Sequence, residues 1–293
     1  MGRELAAASA VARRTFEEAD AVLGFPLSRL CFDGPERDLT LTSNAQPAIL
    51  AHSIAAQRAV ADRLGDVALA AGHSLGEISA YVAAGALSFA DGLRLVRRRG
   101  ELMAASGAER PGTMAAVLGL DEDAVAALCE RARAGGGTCV PANYNAPGQI
   151  VISGDEATVA RAIALAREMG ARRALALNVS GAFHSPLMAS AEVGLREHLA
   201  GVTMAVPAFP VVSNVTAEPV RDPDTARDLL VRQLTSPVRW AESVRTMTRA
   251  GVSRFVELGP GRVLSGLLKR IEPTAGALSI DTAADVEAVG APV

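Results

Sequence analysis

Asp66-Val-Ala-Leu-Ala-Ala-Gly72-His-Ser-Leu-Gly-Glu77 decides how this chain folds. Its first half is a short apolar run without polar alternation, the pattern of a strand buried on both faces of a parallel sheet. Its second half, Gly72-His73-Ser74-Leu75-Gly76, is a GxSxG turn, and residues 77–84 behind it read as helix. Strand, sharp turn and helix together predict a nucleophile elbow, in which small neighbours let the Ser74 hydroxyl stand clear of the sheet. The helix N-terminus then lends a backbone N–H, that of Leu75, to an oxyanion. The alternative is an ordinary tight turn.

Outward from this point, residues 3–23 predict a helix, with Leu5, Ala8, Val11, Phe16, Ala19 and Val22 at helical spacing. A second helix follows Asn44, carrying Pro47 in its first turn and Ile49, Leu50 and Ile54 on one face. A third is predicted over about 89–105. Between 112 and 180 the rhythm changes to strand 113–120, helix 122–134, strands 139–143 and 149–153, helix 157–169 and strand 173–179. That β-α-β-β-α-β order is the split pattern of a ferredoxin-like unit. The expected fold is therefore α/β. A parallel-sheet, α/β-hydrolase-like core spans residues 1–111 and 181–293, and an inserted ferredoxin-like subdomain spans 112–180.

Composition narrows the function. Of 293 residues, 49% are hydrophobic and 21% charged, enough apolar surface for a sizeable core and incompatible with disorder. The 29 basic and 32 acidic residues give a net charge of −3, which argues against a nucleic-acid binder. Aromatic residues, at 3%, are too few for a base-stacking platform. Cys31, Cys129 and Cys139 show neither CxxC nor Cys–His spacing, so neither a disulfide framework nor a metal site is expected, and a reducing cytoplasm fits. No apolar run approaches the roughly 18 residues of a membrane span. The N-terminus has no signal-peptide core, and Ala6 stands where a myristoylation signal needs Ser or Thr.

A serine nucleophile needs a base, and the chain has four histidines. His52 and His198 lie on amphipathic helices and are expected at the surface. His73 adjoins the serine and should point away from it. His184, in the loop Ser180-Gly-Ala-Phe-His-Ser-Pro186 after a predicted strand, is the best candidate by elimination. Arg99 is a third informative residue. Arg97 and Arg98 can pair with Glu101 along the helix, whereas Arg99 falls on the apolar stripe between Leu95 and Leu102. A half-buried guanidinium there wants a carboxylate from elsewhere, either another side chain or an acidic substrate.

Together with Gln46-Pro-Ala48, Arg99-Gly100, Asn143-Tyr-Asn-Ala-Pro-Gly-Gln149, Gly181-Ala-Phe-His-Ser185, Leu230-Val-Arg-Gln-Leu234 and Glu257-Leu-Gly-Pro-Gly261, the elbow resembles the malonyl-CoA:acyl carrier protein transacylases of fatty acid and polyketide synthesis. The resemblance runs in register from the start to about residue 285. It implies a ping-pong exchange through a malonyl-Ser74 ester, from malonyl-CoA as substrate to the phosphopantetheine thiol of an acyl carrier protein, with no bound cofactor. His184 would be the base, oriented by the backbone carbonyl of Gln233, and Arg99 would hold the malonate carboxylate. Gln46, Asn143, Asn145, Gln149 and Arg173 would line the CoA and pantetheine groove. Phe183, before the histidine, would favour malonyl over a branched unit. The family usually opens with an apolar strand ending in Gly-Gln-Gly, whose glutamine N–H is a second oxyanion donor. The resemblance therefore implies a reading frame that continues upstream of Met1. Two competing expectations are a serine hydrolase, with Asp155 as its acid, and a truncated, non-catalytic binding subunit.

Overall fold

The computed structural model describes residues 1–289. The chain opens with α1 (Arg3–Ala8) and α2 (Ala10–Leu23), then α3 (Leu27–Asp33), α4 (Glu36–Leu39) and α5 (Thr42–Val60). The helix expected over 3–23 is thus two. Ser9 is extended, and its side chain accepts the Ala12 N–H, so it caps α2 and interrupts the run. Pro47 lies inside α5 and cannot donate to the Ser43 carbonyl one turn back, and Arg97 Nη1 donates to that carbonyl instead, at 3.1 Å.

The next elements are β1 (Ala70–Ala71), α6 (Leu75–Ala83) and α7 (Phe89–Glu109). The expected strand shrinks to two residues, and Val67 is exposed. α5 and α7 approach closely at Gly100, where a Cβ would sit 2.6 Å from the Ser43 Cα and the Thr42 carbonyl oxygen. This approach sets Arg99 and Gln46 against each other.

β2 (Thr113–Leu118), α8 (Glu122–Arg133), β3 (Cys139–Ala146), β4 (Gln149–Gly154), α9 (Glu156–Glu168) and β5 (Arg173–Ala176) follow. Their four strands form an antiparallel sheet in the order β3-β4-β2-β5. Val125, Leu128, Val159 and Ala162 from the two helices pack with Val117, Ile150 and Ile152 of the sheet in one apolar cluster. Cys129 and Cys139 are buried free thiols in the same layer.

α10 (Ala189–Ala200), β6 (Val211–Val212), β7 (Pro219–Val220), α11 (Pro223–Arg232), α12 (Trp240–Arg249), β8 (Arg254–Leu258), α13 (Val263–Ile271), β9 (Gly276–Ile280) and α14 (Ala283–Ala288) complete the described chain. β1 pairs in parallel with β6, and β6 in antiparallel with β7, so β1 is an edge of that sheet among the described residues. β8 and β9 form a separate parallel pair. The largest apolar cluster joins α1, α2, α5, α6, α7 and α10 around Phe16, Leu50, Tyr81, Leu95 and Leu195. The antiparallel sheet is tied to the segment before α12 by Tyr144 N–H to the Val238 carbonyl, 2.9 Å, and Val238 N–H to the Ala142 carbonyl, 2.8 Å. No helix among the described residues is long and apolar enough to cross a membrane.

Candidate active site

The turn from β1 into α6 places Ser74 at φ 52° and ψ −111°, a conformation that L-residues avoid and that costs about 1–3 kcal/mol. Three contacts hold it there. Asn214, just after β6, accepts the Ser74 N–H at 2.7 Å and donates to the Gly72 carbonyl at 2.7 Å, bridging both sides of the turn. The Gln233 amide donates to the Ser74 carbonyl at 3.0 Å. Gly72 allows the bend because a Cβ there would lie 1.9 Å from the Gly76 carbonyl. The Leu75 N–H, first in α6, donates to no protein group among the described residues and is free for an oxyanion.

His184 also has positive φ, at 57°, in a loop that brings Nε2 to 2.9 Å from Ser74 Oγ. Its Nδ1 lies 2.9 Å from the Gln233 backbone carbonyl. That carbonyl only accepts, so Nδ1 carries the proton and Nε2 is left as the acceptor facing the serine. Burial, then the Arg99 cation, pushes His184 down to about 3, so the imidazole is neutral at physiological pH. The structure thus brings Ser74, His184 and the Gln233 carbonyl together.

Arg99 is more deeply buried than expected, at 1% exposure. Nη2 donates to Ser74 Oγ at 3.0 Å and to Gln233 Oε1 at 2.8 Å, and Nη1 donates to Gln46 Oε1 at 2.8 Å. All three partners are uncharged, and Nε has none among the described residues. Burial lowers Arg99 to about 10 and the Glu77 carboxylate opposes the shift, so the guanidinium stays charged. A buried cation beside the Ser74 hydroxyl, bonded only to neutral oxygens, has the chemistry to receive a small anionic group.

Other expected residues fall differently. Gln46 does not line a groove: it is 3% exposed, with Nε2 on Thr42 Oγ1 at 2.9 Å, because the α5–α7 contact turns it onto Arg99. Asn145, beside a register shift in β3, accepts through Oδ1 from His73 Nε2 at 2.8 Å, and so draws His73 away from the serine. Asn143 is buried on the same strand, Gln149 is bonded by Arg270, and Arg173 is exposed on β5. Phe183 packs between two apolar clusters. His52 is fully buried, with Nε2 3.1 Å from the Asp281 carbonyl, and His198 is half-buried; neither is a surface residue, because the helix faces that carry them are covered. Asp155 caps α9 through the Thr158 N–H at 3.0 Å and also accepts from Thr138, so it is spent within its own layer and is not an acid for His184.

Residue-level reading of the sequence missed Glu77, Asn214 and the Gln233 side chain. Glu77 is fully buried in the first turn of α6, and its Oε2 accepts from Gln233 Nε2 at 2.7 Å and from the Asn214 N–H at 3.1 Å. Burial raises it to about 7 against those hydrogen bonds and Arg99. The one available signal for Asn214 was its place at the end of the apolar run Val211-Val212, where strand ends deliver polar side chains. Among the described residues no cluster of His, Cys, Asp or Glu could hold a metal ion.

Residues 1–283 match the family model of the acyl transferase domain. Over 271 residues, 92% of this chain and 86% of the relative, the sequence is 45% identical to a malonyl CoA-acyl carrier protein transacylase of Bacillus subtilis (strain 168). An acyl carrier protein S-malonyltransferase from Vibrio cholerae is 43% identical with a TM-score of 0.95, over 99% of this chain and 95% of that one. A structure of a type II PKS acyl-carrier protein in complex with its malonyl-transacylase matches at 42% identity and TM-score 0.95, covering 99% and 94%.

Proposed function

The chain belongs to the acyl transferase domain family, and on that premise we propose that it moves a malonyl group from CoA to the phosphopantetheine thiol of an acyl carrier protein. The observation that carries this reading is Arg99 Nη2, 3.0 Å from the nucleophile oxygen, in a guanidinium bonded only to neutral groups among the described residues. A simple hydrolase has no need of a buried cation there. A malonyl thioester supplies the missing carboxylate at the far end of the acyl group.

In the first half-reaction Ser74 Oγ attacks the thioester carbonyl and passes its proton to His184 Nε2. The Leu75 N–H receives the oxyanion. As the tetrahedral adduct collapses, the C–S bond breaks and the departing CoA sulfur takes the proton from His184. The malonyl-Ser74 ester is then attacked by the carrier's thiol, whose proton goes to His184 and finally to Ser74 Oγ. The Gln233 carbonyl holds the imidazole in the required tautomer through both halves. We assign Asn143, Asn145, Gln149 and Arg173 to the approach of CoA and pantetheine, Arg173 through a phosphate, and Phe183 to excluding an α-branch. Gln46 we assign to holding Arg99.

The fold reading that goes with this has an α/β-hydrolase-like core over 1–111 and 181–293 and a ferredoxin-like subdomain over 112–180. It is supported by the parallel β1–β6 pairing behind the elbow and by the β3-β4-β2-β5 order. An intact Ser74–His184 contact weighs against a merely binding subunit. The test is incubation with radiolabelled malonyl-CoA, followed by peptide mapping and a chase with holo acyl carrier protein. Label on the Ser74 peptide that moves to the carrier is the expected result. Label absent from that peptide, or released only to water, sinks the proposal.

A further inference from the structure

We propose that Glu77 is a specificity-determining counter-charge, whose carboxylate, joined to Arg99 through the Gln233 amide, sets how strongly the site holds a substrate carboxylate. The inference rests on the acyl-transfer reading above.

The Gln233 side chain lies between the two charges. Its Oε1 accepts from Arg99 Nη2 at 2.8 Å and its Nε2 donates to Glu77 Oε2 at 2.7 Å. A flipped amide would set NH2 against a cation and oxygen against an anion, so the charges at the two ends fix its orientation. Both charges are almost completely excluded from water, with Glu77 at 0% and Arg99 at 1% exposure. In such surroundings an uncompensated charge is felt strongly by its neighbours. With Glu77 ionised, the pair is neutral overall and an incoming carboxylate brings net negative charge into the pocket. With Glu77 neutral, the same carboxylate balances Arg99, and the site prefers malonyl over an uncharged acyl group by a wider margin.

The geometry lets Glu77 lose its charge without rearrangement. Oε2 makes both hydrogen bonds, while Oε1 is buried with no hydrogen-bond partner among the described residues, so a proton, or the NH2 of a glutamine, fits on that side. Glu77 is raised by burial to about 7, so its charge changes near neutrality. Around it, Arg99 comes from α7 and Tyr81 from its own helix, and burial holds the Tyr81 phenol above its usual range. The groups facing it from the segments after β6 and α11 are the uncharged Ser213, Asn214 and Gln233. His184, reached through Gln233, lies at about 3 and does not titrate near neutrality.

The test measures Ser74 loading by malonyl-CoA and by acetyl-CoA at about pH 6 and about pH 8.5, and takes the ratio of the two rates so that the titration of CoA phosphates cancels. In the unmodified chain the malonyl-to-acetyl ratio should be higher at the lower pH, on the order of tenfold, the size of one pKa unit of coupling. Glu77→Gln should hold the ratio high and flat across the same range. A role limited to packing would slow both substrates alike and leave the ratio fixed. A ratio that does not respond to pH in the unmodified chain overturns the inference even if Glu77→Gln fails to fold. A chain that loads acetyl and malonyl groups on some residue other than Ser74 overturns the acyl-transfer mechanism instead, and this inference with it.

Discussion

Ser74 carries strain because its neighbours determine its position: Asn214 takes its N–H and Gln233 its carbonyl. Ser74→Ala should abolish covalent labelling by malonyl-CoA while leaving the fold intact, read by mass spectrometry and circular dichroism. His184→Ala should slow loading by roughly 10²–10⁴-fold, the usual cost of losing a general base. Since His184 is neutral down to about pH 3, acetyl loading in the unmodified chain should show no protonation limb near 6.5. A limb there would mean that the imidazole is far more solvated than its burial implies. Arg99→Ala should move preference from malonyl-CoA towards acetyl-CoA. Losing one partner of a buried charge pair costs about 3–5 kcal/mol, so malonyl loading should fall steeply. Equal loss for both substrates would assign Arg99 to structure alone.

At the scale of elements, the site depends on two close backbone approaches and on a division of labour between layers. Gly72→Ala would place a Cβ 1.9 Å from the Gly76 carbonyl, and the elbow must open to admit it. Overpacking of this kind typically costs about 1–3 kcal/mol, and here it also displaces Ser74, so labelling should be lost before the protein unfolds. Asp155→Ala makes the contrasting case. It removes the cap of α9 and the anchor of Thr138, so the melting temperature should drop with a loss of about 1–2 kcal/mol. Its loading rate on Ser74 should be unchanged. A rate collapse in Asp155→Ala would revive the hydrolase triad that the capping geometry rules against.

For the molecule as a whole, all four histidines lie below their unfolded value of 6.5, chiefly because burial disfavours the charged ring. A depressed histidine contributes stability that is fully present above 6.5 and is lost as pH falls below it, since the unfolded chain binds the protons. Glu77 acts in the opposite sense. Raised from 4.5 to about 7, it binds a proton in the folded state first, and so returns stability as pH falls from about 7 to about 4.5. Over the interval from about pH 6.5 to about pH 5, Glu77 and His184 offset each other, and the other three lowered histidines tip the balance. Each net proton taken up on unfolding costs about 1.4 kcal/mol per pH unit, so the midpoint in urea should fall steadily between about pH 6.5 and about pH 5. A midpoint that rises over this interval would mean that the histidines are solvated in the folded protein.

The sequence by itself determined the strand–turn–helix around Ser74, the β-α-β-β-α-β order and the candidacy of Ser74, His184 and Arg99. Each of these is local: a turn needs small residues at fixed offsets, an amphipathic helix needs its period, and a charged residue on an apolar stripe is visible from its own neighbours. Ser9 was equally local, yet a single extended residue within a helical period is weaker than the period around it. Only the tertiary structure decided what Arg99 touches, that Gln46 turns inward, and that Glu77 and Asn214 belong to the site. Gln233 reaches Glu77 across 156 positions and Arg99 across 134, and Asn214 reaches Ser74 across 140. Such contacts form because buried polar groups must find partners wherever the packed elements bring them, and no spacing along the chain encodes that choice.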